Sequence, residues 1–185
     1  MPKRVAIELD GVLVHAPLEP VPLDGRSENF WETFGETEPN VVARLAGMAA
    51  ERRWEVIFLA NRAPSGGATA QVQSQRWLEA RGFALPCVFM APGPRGRIAS
   101  ALHLDLVIDV TPRNCVNVVS ESDARTILVW RGDLSTLPPD ARRPEIDVAR
   151  SFGECLDMLA TVGDSSPRNA GVFSSLRRLF GWKEA

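Results

Sequence analysis

Lysine is nearly missing from this sequence. Its 185 residues include only Lys3 and Lys183, so arginine supplies the remaining permanently cationic side chains. A mechanism that relies on a lysine from the middle of the chain is therefore excluded. Cysteine is also scarce, because Cys87, Cys115 and Cys155 are widely separated and form no CxxC pair. This spacing argues against a disulfide framework or a zinc site and favours a reducing compartment.

Long apolar runs are missing as well. No stretch approaches the roughly 20 residues that a membrane-spanning helix needs. The basic start of the chain is interrupted by Asp10 before any apolar signal-peptide core develops, so we expect no signal peptide. The formal net charge of −2 gives no basic footprint for nucleic acid. We therefore expect a cytoplasmic protein that does not bind nucleic acid.

The apolar residues that are present fall into short runs. They alternate with helix-like segments, which is typical of a doubly wound parallel sheet with helices on both faces. The chain is long enough for one such α/β domain to bury its own core. The patterns predict strands at 5–9, 54–59, 86–90, 104–110 and 126–130, and helices at 39–52, 69–81, 97–102 and 148–159.

The end of the chain differs from the rest. We predict a domain over residues 1–162, a polar, breaker-rich linker over 163–171 and an amphipathic tail over 172–185. The tail places apolar residues at helical spacing beside Arg177, Arg178 and Lys183. It either folds back on the domain or contacts a protein partner or a membrane surface through residues 172–182.

Acidic side chains follow two of the predicted strands. Glu8 and Asp10 end the first strand, and Asp109 ends the fourth. Ligands bind parallel sheets outside the carboxyl ends of the strands, where the strand order reverses. Buried carboxylates are costly without a cation, and Mg²⁺ prefers carboxylate ligands. The sequence thus predicts a shared acidic site, although Asp10 with Gly11 also fits a simple turn that ends the strand.

Four segments carry a family resemblance that spans about residues 4–130. They are VAIELDGVL (5–13), IFLANR (57–62), SQRWL (74–78) and LVIDVTPRN (106–114). In this order they resemble the motifs of haloacid-dehalogenase-like (HAD) phosphatases, with a nucleotidase-like second motif. The resemblance implies a HAD-like, Rossmannoid fold with a minimal cap. We expect an open site, covered at most by the loop that carries Phe30 and Trp31.

The resemblance also implies roles for the acidic residues. In the family, a first aspartate attacks phosphorus, and a second acts as acid and base. Glu8 stands at the first position and Asp10 at the second, which makes these two the catalytic candidates. A Mg²⁺ ion, bound weakly by Glu8, Asp10 and Asp109, is the implied cofactor.

The phosphate-binding positions follow by the same resemblance. Asn61 and Arg62 end the second motif, and Arg97 stands where the family usually has a lysine. Arg95 is the alternative for that position. A phosphorylated small molecule is the implied ligand.

Several of these positions depart from the family pattern. Glu8 moves its carboxylate about 1.5 Å farther out than aspartate would, and a displacement of that size can lower a rate about 10²-fold. Ala60 lacks the hydroxyl of the second motif, and Val110 removes an acid from the fourth. Arg97 replaces a point charge with a planar fork. We therefore expect a degraded site in a pseudoenzyme, impaired or inactive as a phosphomonoesterase.

Two other functions remain open at this point. One is an active Mg²⁺-dependent phosphatase of the nucleotidase-like kind. The other is an interaction scaffold that acts through the tail.

Overall fold

Strands and helices alternate along the described chain, which comprises residues 3–15, 27–65 and 67–161 of a computed structural model. The strands are β1 Arg4–Glu8, β2 Glu55–Ala60, β3 Cys87–Met90, β4 Leu106–Asp109, β5 Arg125–Val129 and β6 Ile146–Ala149. The helices are α1 Val41–Arg52, α2 Ala70–Glu79, α3 Arg95–Ala101, α4 Pro112–Glu121 and α5 Phe152–Thr161. Short 3₁₀ helices at Phe30–Glu32, Leu134–Thr136 and Pro139–Ala141 lie in the connections.

The six strands form one parallel sheet in the order β3-β2-β1-β4-β5-β6. Ile7 of β1 pairs with Phe58 of β2 on one side and with Ile108 of β4 on the other. The chain runs outward from β1 to β3 and then returns to the other side of β1 as β4. The strand order therefore reverses between β1 and β4, and a ligand crevice is expected at their carboxyl ends. The predicted doubly wound parallel sheet is confirmed.

The two faces of the sheet carry separate parts of the core. Ile7 and Ile108 pack on the face that buries residues of α1, α2 and α5. Ala6 and Val107 pack on the opposite face with residues of α3 and α4. Because side chains alternate along a strand, Glu8 and Asp109 belong to the α3 and α4 face.

Two elements differ from the sequence prediction. Residues 112–121 form α4, a helix that the sequence patterns did not predict. Its apolar residues recur at helical spacing, and two of them, Cys115 and Val118, are buried. Pro112 at its first turn is the start signal that was overlooked.

The second difference lies near the end of the described chain. The helix predicted from Val148 is wrong in its first part, because Ile146–Ala149 is strand β6 and α5 begins only at Phe152. All four residues of β6 are buried. A short apolar run next to a helix cannot be assigned by periodicity alone.

The remaining predicted elements are found within a few residues of their expected ends. The linker over 163–171 and the tail over 172–185 lie outside the described residues, and the domain boundary at 162 stays a prediction. Within the described ranges, no helix is both long enough and apolar enough to cross a membrane.

Candidate functional site: two arginine–carboxylate pairs at the switch point

The chain turns sharply as it leaves β1. The amides of Leu13 and Val14 both donate to the carbonyl of Leu9, at 3.0 and 2.9 Å. Gly11 has a φ of 81°, and a Cβ at this position would lie 3.0 Å from Val110 Cγ2. Glycine fits here because it adopts positive φ without strain and lets the turn pack on the residue after β4. The turn leaves Asp10 partly exposed at the rim of the crevice.

A single guanidinium lies between the two buried carboxylates of the site. Glu8, Asp109 and Arg95 are 6%, 0% and 4% exposed. Arg95 Nη2 donates to Glu8 Oε2 at 2.5 Å, and Arg95 Nε lies 3.7 Å from Asp109 Oδ2. Arg95 Nη1 also donates to the carbonyl of Ala91, at 2.5 Å, which anchors the side chain beneath the loop after β3. The structure thus brings Glu8 and Asp109 together around an arginine.

Asp109 has further partners at the start of α4. Its Oδ1 accepts a hydrogen bond from the amide of Thr111 at 2.7 Å, and its Oδ2 accepts one from Asn114 Nδ2 at 2.9 Å. Burial raises the pKa of Asp109, while these hydrogen bonds and Arg95 act in the opposite direction. Asn114 thus orients the carboxylate from within helix α4.

The pKa of Glu8 is raised as well. Burial, followed by the negative charge of Asp109, raises the pKa of Glu8 from 4.5 to about 8. The charge and hydrogen bond of Arg95 oppose this rise without cancelling it. Glu8 is therefore held in a setting that disfavours a free, reactive carboxylate.

Asp10 belongs to a second pair. Arg62 Nε lies 3.1 Å from both carboxylate oxygens of Asp10, and Arg62 Nη2 donates to Oδ1 at 2.7 Å. The third nitrogen, Nη1, donates to Ser74 Oγ of α2 at 2.8 Å. The Arg62 side chain has no exposed surface, whereas that of Asp10 is 23% exposed. Arg62, predicted to bind phosphate, is thus engaged by the protein itself.

The segment before α1 covers this second pair. The ring of Trp31 lies 4.8 Å from the Arg62 guanidinium carbon, in cation–π contact, and its Nε1 donates to the carbonyl of Ala63 at 3.1 Å. The amide of Trp31 donates to Gln73 Oε1 at 2.8 Å, and Gln73 Nε2 donates to the carbonyl of Glu28 at 2.9 Å. The loop expected to cover the site is therefore fixed to α2 and to Arg62.

Arg97 is not part of the site. Its side chain is 83% exposed, and its Nε lies 3.9 Å from Glu121 Oε2 on α4. Arg95, the alternative, holds the inward position. The reason is the rotation of α3: a Cβ on Gly96 would overlap the backbone of Asn117, so Gly96 must face α4 at close range. Residues two apart on a helix point in different directions, so only one of the two arginines can face the carboxylates.

The remaining motif positions differ in their exposure to the crevice. Asn61 is exposed at the end of β2, where it could meet a ligand, but Ala60 is fully buried in the core. Val110 packs against the core and against Gly11. The acid that the family has at this position is thus replaced by a packing residue.

The residues present do not fit the Mg²⁺ ion that the resemblance implies. Among the residues described, no group of three or more histidine, cysteine, aspartate or glutamate side chains is arranged to hold a metal. Glu8 and Asp109 share Arg95, and both oxygens of Asp10 face Arg62. Mg²⁺ needs free oxygen ligands in near-octahedral geometry, and these oxygens are directed at guanidinium groups instead.

The strand order and the parallel connections together define a Rossmann-type α/β domain, as the sequence predicted. The D,D-heptose 1,7-bisphosphate phosphatase from Burkholderia thailandensis is similar in structure, with a TM-score of 0.56 and 15% identity over 86% of this chain and 99% of that chain. A de novo designed Rossmann 3x3 protein aligns with a TM-score of 0.39 and 10% identity over 89% of this chain and 98% of its own. No protein-family model and no curated protein sequence matches the chain. The likeness to the phosphatase shows the fold.

Proposed function

We propose that this protein is a phosphatase-fold binding module that does not hydrolyse phosphomonoesters at an appreciable rate. The observation that carries the proposal is that each carboxylate in a catalytic position is paired with its own arginine, Glu8 with Arg95 and Asp10 with Arg62. A phosphorylated small molecule, bound without turnover, is the proposed ligand class, and the exposed Asn61 at the end of β2 is the residue that could contact it.

The position of Glu8 argues against nucleophilic attack. A carboxylate nucleophile must reach phosphorus with an unengaged oxygen, but Glu8 is 6% exposed and bonded to Arg95. Releasing Glu8 from a buried hydrogen bond to a charged group costs about 1.5–3 kcal/mol, which alone corresponds to roughly a 10- to 10²-fold loss in rate. The extra methylene of glutamate adds a further loss, because it misplaces the carboxylate.

The position of Asp10 argues against acid–base catalysis. A general acid must carry a proton toward the leaving group, and a general base must accept one. Both oxygens of Asp10 already accept hydrogen bonds from Arg62. Trp31 packs on the guanidinium group of that arginine and helps to hold it in place beside Asp10.

The cellular setting is part of the proposal. Cys87 is exposed, Cys115 and Cys155 are buried, and all three are free thiols. This is compatible with the reducing cytoplasm that the cysteine spacing suggests. The tail over 172–182 keeps its proposed role as a contact for a protein or a membrane surface.

A phosphatase assay tests the proposal. Wild-type protein and Asp10→Asn are compared on a generic phosphomonoester, on nucleotides and on sugar phosphates, with Mg²⁺ or with EDTA. We expect both proteins to match the buffer blank in every condition. Mg²⁺-dependent turnover by the wild type that disappears in Asp10→Asn would establish the alternative, an active phosphatase.

A further inference from the structure

The positive charge between Glu8 and Asp109 comes from the protein itself. Arg95 is 4% exposed, and its guanidinium contacts both carboxylates from one side of the sheet. A nearby cation offsets the repulsion between two neighbouring buried carboxylates. In this site, the compensating cation is a side chain.

Without its contacts to these carboxylates, the buried position of Arg95 would be unfavourable. It is the first residue of α3, where the positive end of the helix dipole disfavours a cation. Its Nε is buried and has no hydrogen-bond partner, with Asp109 Oδ2 at 3.7 Å as the nearby counter-charge. The charges of the two carboxylates, rather than helix preference or complete hydrogen bonding, therefore keep the guanidinium at this point.

We propose that Arg95 is the resident cation of the site, in the place of a divalent metal ion. A dication that approached Glu8 or Asp109 would lie next to the guanidinium and be repelled by it. The folded protein accordingly binds neither Mg²⁺ nor Mn²⁺ at this point, and it does not need them for stability. This inference deepens the proposed function and rests on it.

Removal of the arginine should exchange one cation for another. In Arg95→Ala, the two carboxylates keep their backbone positions, and Asn114 still orients Asp109. The variant then has a negative cavity with oxygen ligands, which suits a divalent cation. Arg95→Lys keeps a positive charge on a shorter donor and should remain independent of metal.

The experiment is thermal unfolding of the full chain in EDTA and in increasing Mg²⁺ or Mn²⁺, with isothermal titration of the same metals. We expect no metal-dependent change in Tm for wild type, for Arg95→Lys or for the surface control Arg97→Ala. For Arg95→Ala, we expect a rise in Tm of about 5–10 °C once the metal exceeds its Kd about 100-fold. The double variant Glu8→Gln, Arg95→Ala removes one ligand and should lose that rise.

Three results would overturn the inference. One is a wild type whose Tm rises with Mg²⁺ and whose rise is lost in Glu8→Gln. Another is a folded Arg95→Ala that ignores both metals. The third is an Arg95→Ala that stays unfolded in EDTA and in metal alike while the double variant folds, because the metal has then failed to replace the arginine. Since the readout is binding and stability, failure here is distinct from the appearance of phosphatase turnover.

Discussion

Two arginine–carboxylate pairs lie at the same edge of the sheet, and they differ in burial. Arg95 and Glu8 have side chains that are 5% and 8% exposed, so both partners are inside the protein. In the pair of Arg62 with Asp10, the arginine is fully enclosed but the carboxylate is 23% exposed. The inner pair therefore sets the charge balance of the core, whereas the outer pair joins the rim to the segment that covers it.

The largest effect is expected at the inner pair. Arg95→Met keeps the length of the side chain but leaves Glu8 and Asp109 without their cation. We expect the free energy of unfolding to fall by about 3–5 kcal/mol in urea denaturation without metal, since the partners are buried. The control Arg97→Met, two residues along α3, should change it by less than about 0.5 kcal/mol. Equal effects at the two positions would show that burial does not distinguish them.

The helix contact that orients Arg95 should be the next most sensitive. Gly96→Ala drives a methyl group into the backbone of Asn117, so we expect a loss of about 1–3 kcal/mol. Gly47 in α1 is the matched control, because a Cβ there would meet nothing within 4 Å. Gly47→Ala should stabilise the protein by about 0.5–1 kcal/mol through helix propensity. In chemical denaturation, the free energy of unfolding should fall for Gly96→Ala and rise for Gly47→Ala. A change of the same sign in both variants would contradict the close approach of α3 to α4.

The outer pair should respond less strongly. Arg62→Met leaves the Asp10 carboxylate able to turn toward water, so we expect a loss of about 1–3 kcal/mol from the missing hydrogen bonds and the lost contact with Trp31. Arg76 is a suitable control, because its side chain is exposed and its ion pair with Glu32, at 3.5 Å, lies near the surface. Arg76→Met should cost less than about 0.5 kcal/mol. A larger loss at Arg62 than at Arg95 would reverse the ranking of the two pairs.

A pH dependence separates the inner pair from the outer pair in a second way. The folded-state pKa of Glu8 is about 8 and its unfolded value is 4.5, so between these values the folded state holds a proton that the unfolded state releases. The contribution of Glu8 to the free energy of unfolding is therefore greatest below about pH 4.5 and declines as the pH rises toward 8. Glu8→Gln should lose this decline, while Asp10→Asn should keep it. The measurement is the denaturation midpoint of wild type and both variants at pH 5, 6, 7 and 8. Identical pH profiles for wild type and Glu8→Gln would contradict the raised pKa of Glu8.

The sequence was sufficient for five of the six strands and for the expectation that Glu8 and Asp109 lie close together. Apolar runs that end in Glu8 and Asp109 indicated two neighbouring strands with acidic ends, and the alternation of side chains explains why both residues face α3. The choice between Arg95 and Arg97 could not be made, because it depends on how Gly96 rotates that helix against α4. The pairing of Arg62 with Asp10 joins residues that are 52 positions apart in the sequence, so no local sequence pattern predicts it.

The same limit explains the missed elements. Helix α4 buries only two of its ten residues, yet it supplies the Asn114 hydrogen bond that holds Asp109. Strand β6 was too short for periodicity to separate it from the helix that follows. Contacts between distant segments, rather than local propensity, determined each of these outcomes.

A crystal structure grown in excess Mg²⁺ would test the central claim most directly. We predict that the guanidinium of Arg95 lies between Glu8 and Asp109 and that Arg62 remains on Asp10, with no metal among the carboxylates. Electron density for an ion about 2.0–2.1 Å from the oxygens of Glu8 and Asp109, with Arg95 displaced, would contradict it.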